Sequence, residues 1–273
     1  LESSAVFVDY IREVAGPALA DKYIENRRRG VDWYAASDEE RFRKRMRRSD
    51  WWASPADTLD RATAMLPALM RERLEELGID FALIYPTNGL GINRFGNPEL
   101  RQGVCRAYNV MTADIYKPYR DYFAPAAVLP CTTPREAIDE LEHAVGLGLK
   151  VIMFRGAFPR PIPAYAGKDD STDGVPCYVD CIGYDNPYDY DPFWKRCTEL
   201  GVAVTAHGGS RDWPDRTSID SFTFNHIGHF AQANHAFARS LLLGGVVHRF
   251  PNLNFGFLEG GVGWACNLLY DLI

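Results

Sequence analysis

The chain has 273 residues, 47% of them hydrophobic and 24% charged, as in an ordinary globular protein, and this length suits one α/β barrel domain. The net charge of -6 and the pI near 5.6 argue against nucleic acid as the main partner, because phosphate binding needs a basic surface. No apolar run reaches the roughly 20 residues of a membrane span, so we expect no membrane partner. The six cysteines are too scattered for a disulfide framework, and we expect reduced thiols in a cytoplasmic protein.

Both ends of the chain lack the usual terminal signals. The first residue is Leu1 rather than Met. Residues 264–273 have a helical apolar pattern with no Gly or basic residue placed to end the helix. We therefore expect the sequence to be incomplete at both ends.

The first 78 residues are predicted to form a helical insertion. Ser37 and Glu40 have the spacing of a capping box, in which each side chain accepts a hydrogen bond from the other's backbone N–H. The basic run Arg41–Arg48 is interpreted as a solvated helix face in preference to an anion site. From Asp57, apolar residues at helical spacing predict one amphipathic helix that ends near Gly78.

From residue 79 onward, short apolar runs alternate with helical patterns. A helix is predicted near Pro98–Lys117, and another begins with a capping box between Thr133 and Glu136. Five runs are predicted as buried strands: Asp80–Tyr85, Phe123–Leu129, Lys150–Phe154, Val202–Ala206 and Asn252–Leu258. This alternation predicts a parallel sheet covered by helices over residues 79–273, in five βα units.

Two architectures fit five βα units. A doubly wound sheet needs only five or six strands, but it often binds a nucleotide at a glycine-rich turn, and no such phosphate-binding pattern occurs here. A (β/α)8 barrel needs eight strands, so three would have to lie outside the sequence. We favour the truncated barrel, with residues 1–273 as a single domain.

Three predicted strands end on an ionisable residue followed by Gly, namely Arg155, His207 and Glu259. In a barrel, catalytic groups lie at the carboxyl ends of the strands. From the residues alone, His207 is equally a metal ligand or a buried core histidine. Arg155 is a candidate clamp for a substrate carboxylate, and the alternative is a structural ion pair with Glu259. Tyr85 and Asn88, after the first strand, are candidate substrate contacts.

Two histidines three residues apart precede an amphipathic stretch. Because positions i and i+3 share a helix face, His226 and His229 are expected to point into one site, the alternative being that both are surface residues. The irregular segment Gly156–Tyr190 is predicted to be a binding loop or lid. Its tyrosines either wall a substrate or pack the scaffold: Tyr165, Tyr178, Tyr184, Tyr188 and Tyr190.

An ordered series of motifs between residues 79 and 264 resembles a known family. The matching stretches are Arg106–Asn109, Tyr190–Trp194, Leu200–His207, Gly244–Pro251 and Phe257–Trp264. They are similar to the amidohydrolase-related, or amidohydrolase family 2, proteins, which include decarboxylases of the aminocarboxymuconate-semialdehyde and resorcylate type. The opening Leu1–Ser4 resembles the residues just after the family's first-strand metal motif.

The resemblance implies a (β/α)8 barrel with a divalent metal ion, Zn or Mn, held by a first-strand pair, a fifth-strand His and an eighth-strand Asp. His207 matches the fifth-strand ligand. The other ligands are expected outside the sequence, with one strand before Leu1 and two after Ile273. Glu259 stands where many members have a histidine, which puts the catalytic role of that position in doubt.

The implied function is metal-dependent hydrolysis or non-oxidative decarboxylation of a small carboxylated or aromatic compound. The alternative is a catalytically inactive barrel that binds a small molecule. We also expect a homo-oligomer. The predicted roles are metal binding for His207, proton transfer for His229 and Glu259, and substrate contact for Arg155, His226, Tyr85 and Asn88.

Overall fold

Helices and short strands alternate along the computed structural model, which describes residues 3–29, 33–48, 57–87, 89–166, 175–210 and 213–273. The helices are α1 (Ser4–Ala15), α2 (Pro17–Arg29), α3 (Asp38–Lys44), α4 (Thr58–Met65), α5 (Pro67–Arg73), α6 (Gly89–Ile92), α7 (Pro98–Tyr116), α8 (Pro134–Gly146), α9 (Asp191–Leu200), α10 (Phe222–His226), α11 (His229–Leu243), α12 (Val246–Arg249) and α13 (Gly263–Leu272), with a 3-10 turn at Lys117–Tyr119. The strands are β1 (Ala82–Ile84), β2 (Phe123–Val128), β3 (Val151–Phe154), β4 (Phe158–Pro161), β5 (Cys177–Asp180), β6 (Ala203–Ala206) and β7 (Phe255–Phe257).

The main sheet has the order β1-β2-β3-β6-β7, and every neighbouring pair is parallel. Each new strand therefore joins the same edge. A doubly wound sheet instead reverses its strand order at a switch point, so that alternative is wrong. The sheet is curled and forms part of a barrel wall. All five predicted strands are confirmed, each one to four residues shorter than its apolar run.

Two buried clusters cover the sheet. The first joins β2, β3 and β6 to α8, α9 and α11, and at its centre Phe154 stacks on Phe193 with ring centroids 5.1 Å apart. The second joins α1 and α2 to α7, where Phe7 meets Tyr108 edge to face. Alternate residues of β2 enter the two clusters, as the two-residue period of a strand requires.

Helix α7 is fixed to β2 through the side chain of Asn109. Its amide donates to Val128 O at 3.0 Å and to Glu140 Oε1 at 2.7 Å, and its oxygen accepts from Val128 N at 2.7 Å. The predicted helix at Pro98–Lys117 is confirmed, as is the capping box of Thr133 and Glu136. The motif that contains Asn109 therefore has a structural role.

The single helix predicted from Asp57 is wrong, because the chain forms α4 and α5 with a break at Leu66. Proline disfavours the helical conformation in the residue before it, and Leu66, which precedes Pro67, is extended at φ -116° and ψ 103°. Asp57 does cap α4, accepting hydrogen bonds from the backbone of Leu59 and Asp60.

The irregular segment after β3 contains a two-stranded antiparallel hairpin of β4 and β5, which the sequence pattern did not predict. A buried ion pair between Arg160 and Asp180 joins the two strands. Asp180 also accepts hydrogen bonds from Asn186, so the end of the hairpin is tied to the following loop.

The basic segment near α3 is divided: Arg43, Lys44 and Arg45 are exposed, as predicted for a solvated face, whereas Arg41 and Arg48 pack against the chain. Arg41 and Arg48 lie over the ring of Trp33, with Cζ atoms 3.8 and 4.8 Å from its centroid. Trp33 Nε1 in turn donates to Ile219 O at 2.7 Å. Ser37 caps α3 through Glu40 N, but the carboxylate of Glu40 binds Lys44, so the second half of the predicted capping box is replaced by an i,i+4 ion pair.

Among the described residues, no helix has both the length and the apolar character needed to cross a bilayer.

Candidate active site

The carboxyl ends of β3, β6 and β7 lie side by side and bring the predicted ionisable residues together. His207 N donates to Phe154 O at 3.2 Å, and Leu258 N donates to Ala206 O at 3.1 Å, so the strand pairing continues to the last strand residues. Arg155, His207 and Glu259 follow directly. The predicted convergence at one edge of the sheet is observed.

His207 is buried at this edge, with 4% of its surface exposed. Its Nε2 lies 3.4 Å from Glu259 Oε1. Its Nδ1 is buried and has no hydrogen-bond partner among the described residues. A buried polar atom without a partner is unfavourable unless a ligand satisfies it, so the imidazole fits one coordination position of a metal ion.

Glu259 is held in an unusual backbone conformation. Its φ is +58°, in the left-handed region that residues other than glycine rarely adopt, and its side chain is 54% exposed. The hydrogen bond from His207 lowers the pKa of Glu259, with a smaller electrostatic contribution from His226. Glu259 is therefore a half-exposed carboxylate directed at the histidines.

His226 and His229 are brought together, but not on one helix face. His226 ends α10 and His229 begins α11, because Gly228 between them adopts a left-handed conformation at φ +72°. The two rings nevertheless lie 4.6 Å apart. Phe230 contacts both His229 and His207, with centroids 3.8 and 5.4 Å away.

Gly209 allows His229 to reach this position. A Cβ at residue 209 would lie 2.0 Å from His229 Nδ1, well inside contact distance. His229 itself is only 2% exposed. Gly209, the second of the two glycines after His207, is thus required by the close approach of the His229 side chain.

A buried polar network holds the loop that carries these histidines, and the sequence analysis missed it. Arg216 donates to Ile227 O at 2.6 Å, to Gln232 Oε1 at 2.8 Å and to Ser210 Oγ at 3.1 Å. Ser210 also donates to His229 O at 3.0 Å. The bonded residues lie 6 to 22 positions apart, and no motif or periodicity marks them.

Arg155 is buried, with 6% of its surface exposed. Its Nε donates to Ala157 O at 2.7 Å, and its guanidinium lies 5.8 Å from the ring of Phe158. The carboxylate of Glu259 lies against His207, and Arg155 interacts with Ala157 and Phe158. A structural ion pair between Arg155 and Glu259 is therefore not needed to account for the placement of either side chain.

Tyr85 follows β1 and lies beside His207, with ring centroids 6.0 Å apart. Burial raises the pKa of its hydroxyl, which therefore stays protonated near neutral pH. Asn88, the other predicted substrate contact on this turn, lies outside the described residues.

Two cavities open at this edge of the sheet. A small one of about 60 Å³ is lined by His207, His229, Arg155, Arg94 and neighbouring residues. A larger one of about 450 Å³ shares Arg94 and Arg155 with it and extends between α7, the start of α8 and the β4–β5 hairpin. The shared arginines place the two cavities next to each other.

The tyrosines of the segment after β3 divide between the two predicted roles. Tyr178 and Tyr188 line the larger cavity. Tyr190 is buried and packs the scaffold, donating a hydrogen bond to Cys131 O at 2.7 Å. Tyr165 and Tyr184 are exposed.

No three His, Cys, Asp or Glu side chains converge on a common point within the described ranges. Within those ranges, His207 and Glu259 form the pair of side chains that could contribute to a metal site at this edge.

A singly wound parallel sheet with ionisable side chains at its carboxyl edge defines an α/β-barrel scaffold of the kind that carries enzyme sites at that edge. The family model described as amidohydrolase matches residues 49–271. The chain belongs to the amidohydrolase family.

Solved structures with the same fold include three enzymes. The 5-carboxyvanillate decarboxylase of Novosphingobium aromaticivorans DSM 12444, solved with bound manganese, is 16% identical with a TM-score of 0.60, over 99% of this chain and 68% of that one. An amidohydrolase from Mycobacterium avium subsp. paratuberculosis K-10 is 20% identical with a TM-score of 0.59, over 76% of this chain and 51% of that one.

The third is a dihydroxybenzoic acid decarboxylase from Polaromonas sp. JS666, solved with manganese and 2-nitroresorcinol. It is 20% identical with a TM-score of 0.55, over 72% of this chain and 55% of that one. The chain thus spans little more than half the length of the Mycobacterium and Polaromonas proteins. At these identities the likeness extends to the fold alone.

Proposed function

We propose that this chain is part of a metal-dependent enzyme that removes the carboxyl group of a small aromatic acid without oxidation. The observation that carries the proposal is the buried Nδ1 of His207, which has no partner among the described residues and lies beside an arginine-lined cavity. A carboxylated substrate suits that cavity because Arg94 and Arg155 both line it.

His207 is the proposed metal ligand. Manganese in the Novosphingobium and Polaromonas decarboxylases supports a divalent ion, and zinc is the other candidate. Once bound, such an ion polarises a substrate oxygen. The remaining ligands are proposed to lie on other strands of a complete (β/α)8 barrel, of which this chain supplies five.

Arg155 is proposed to hold the substrate carboxylate through its guanidinium, whose burial strengthens the interaction. Tyr85 and His226 border the same site, since Tyr85 lies against His207 and His226 lies against His229. Asn88 is retained as a proposed contact on the turn after β1.

His229 or Glu259 is proposed to move the proton. In decarboxylation the bond between the ring and the carboxyl carbon breaks, CO2 leaves, and the electron pair left on the ring carbon takes up one proton. His229 is the buried candidate for this donor, and Glu259 is the half-exposed one. In the alternative reaction, hydrolysis, the same groups would accept a proton from water.

The test is to measure metal content and CO2 release together. We expect the protein to bind stoichiometric Mn or Zn and to release CO2 from hydroxylated benzoates. His207→Ala should lose both properties, whereas the exposed His248→Ala should keep both.

The protein could instead bind metal, release no CO2 from any aromatic acid and cleave an amide or an ester. That result would mean that the reaction is hydrolysis and not decarboxylation. If the protein binds aromatic acids but binds no metal and turns over no substrate, the inactive binding barrel would be the correct description instead.

A further inference from the structure

The wall of the larger cavity includes Asn93, whose amide has no partner in the described part of the chain. Asn93, just after α6, is 1% exposed, and both its Oδ1 and its Nδ2 are buried without a hydrogen-bond partner among the described residues. The residue lines the 450 Å³ cavity. A buried donor and a buried acceptor without hydrogen bonds lower the stability of a folded protein. A molecule that occupies the cavity is therefore a natural hydrogen-bond partner for both.

The charges around Asn93 indicate what else that molecule carries. Of the described residues that line the cavity, four are arginines and one, Glu136, is acidic. Arg101 is neutralised by Glu136 at 2.9 Å, and Arg160 by the buried Asp180. Arg94 and Arg155 line the cavity where it meets the His207 site. The described lining carries more arginines than carboxylates, and guanidinium groups are suited to bind a carboxylate.

The rest of the lining is apolar or aromatic. Phe95, Phe158, Tyr178 and Tyr188 form part of the wall together with several prolines. A volume of about 450 Å³ falls within the range of ordinary ligand pockets, which are mostly apolar with a few placed polar groups. The cavity therefore has room for an apolar framework larger than the carboxyl group alone.

We infer that Asn93 is a specificity-determining residue: its amide binds an uncharged group that both donates and accepts hydrogen bonds, a hydroxyl or a primary amide, on an aromatic acid whose carboxylate faces Arg155. An asparagine side chain offers one acceptor and two donors, which matches such a group and gives no preference to a second charge. The inference rests on the proposed function, because it places the aromatic acid in the same site.

The probes are acids that differ only in the second group. Benzoate is compared with 3- and 4-hydroxybenzoate and with 3- and 4-carbamoylbenzoate, and dissociation constants are measured by calorimetry in buffer containing MnCl2. We expect at least one substituted acid to bind the unaltered protein about tenfold more tightly than benzoate, the gain of one well-placed hydrogen bond.

The decisive variant is Asn93→Leu, which keeps the side-chain size and removes both polar atoms. The ratio of benzoate to substituted-acid dissociation constants should fall to about one, while benzoate affinity stays the same. The Tm of the ligand-free variant should rise, because an unsatisfied buried amide has been removed. A purely structural asparagine would give a lower Tm and leave the ratio unchanged, and that result would overturn the inference.

Asn109→Leu is the matched control. Asn109 is also a fully buried asparagine, but its amide is satisfied by Val128 and Glu140. This variant should lower the Tm and leave the probe ratio as in the unaltered protein. If the ratio falls in both variants, the effect is not specific to Asn93 and the inference fails.

The two proposals fail in different ways. If benzoate and all four substituted acids fail to bind, the aromatic-acid function and the role of Asn93 both fall. If benzoate binds and the Asn93→Leu ratio is unchanged, only the role of Asn93 falls. Binding of the substituted acids that weakens specifically in Asn93→Leu supports both.

Discussion

Gly209 lies two residues after His207 and directly against the ring of His229. In the proposed reaction His207 is a metal ligand and His229 is a proton carrier. A methyl group at this position would lie 2.0 Å from His229 Nδ1. We expect Gly209→Ala to displace the His229 ring and lower kcat at least tenfold, because about 1.4 kcal/mol of lost transition-state stabilisation already has that effect. Metal content should stay the same, since His207 keeps its place directly after β6.

Gly146→Ala serves as the control for this substitution. Gly146 ends α8, and a Cβ there would meet nothing within 4 Å. Its kcat should equal that of the unaltered protein. Steady-state kinetics with metal analysis on both variants makes the comparison, and an unchanged kcat in Gly209→Ala would remove His229 from the proposed mechanism.

The residue scale also shows what sequence could and could not predict. The position of His207, Arg155 and Glu259 at one sheet edge could be predicted because a strand end is visible as an apolar run that stops, and parallel strands must end at the same edge. Ser210, Arg216 and Asn93 were missed. All three are buried, and the hydrogen bonds of Ser210 and Arg216 join residues 6 to 22 positions apart, so neither feature leaves a local pattern.

At the scale of elements, strands were predicted more reliably than helix boundaries and loops. A buried strand needs only a short continuous apolar run, and all five runs did form the sheet. The helix from Asp57 failed because Pro67 overrides apolar periodicity, and the His226–His229 helix failed because Gly228 turns the chain. The β4–β5 hairpin was missed since Pro residues obscure its pattern.

Arg216 ties α10 to α11, and its removal should loosen the loop between them. Arg216→Leu leaves the carbonyl of Ile227 without its side-chain donor and removes one of the two donors to the Gln232 amide oxygen, both in a part-buried setting. We expect a loss of about 3 kcal/mol in the free energy of unfolding, measured with urea. The control Arg135→Leu removes an exposed arginine of α8, and its effect should stay below about 0.5 kcal/mol.

The contact between α1 and α7 predicts a pH dependence of stability. Tyr10 donates to Asp114 Oδ2 at 2.5 Å, and this hydrogen bond is the main cause that raises the pKa of Tyr10 to about 12. The folded state thus favours the protonated phenol. The stabilisation of the folded state by this hydrogen bond is complete below the pKa of the unfolded chain, near 10, and is lost as pH rises from about 10 to about 12.

Comparison with Tyr10→Phe isolates this group from the other tyrosines. The unfolding free energy of the unaltered protein should exceed that of the variant below pH 10, and the difference should shrink towards pH 12. A difference that stays constant across this range would mean that the Tyr10 hydroxyl does not bind Asp114 in solution.

On the scale of the whole molecule, the N-terminal helices and the active-site loop are joined across nearly 200 residues of chain. Trp33 Nε1 donates to Ile219 O, Arg48 N donates to Ser218 O at 3.3 Å, and Asn225 Nδ2 donates to Arg48 O at 3.0 Å. Asn225 directly precedes His226. The segment 33–48 therefore contacts the loop that carries both histidines, and we expect it to restrain that loop.

Trp33→Ala should release that restraint. The substitution removes one hydrogen bond, worth about 1 kcal/mol, and two cation–π contacts worth about 0.5–1 kcal/mol each. Amide hydrogen exchange in residues 213–226 should become roughly tenfold faster or more, and kcat should fall because His226 and His229 are less well positioned. Trp33→Phe keeps a ring beneath Arg41 and Arg48 but loses the N–H, so its effect should be smaller. If exchange in this loop is the same in all three proteins, the N-terminal segment packs on the loop without restraining it.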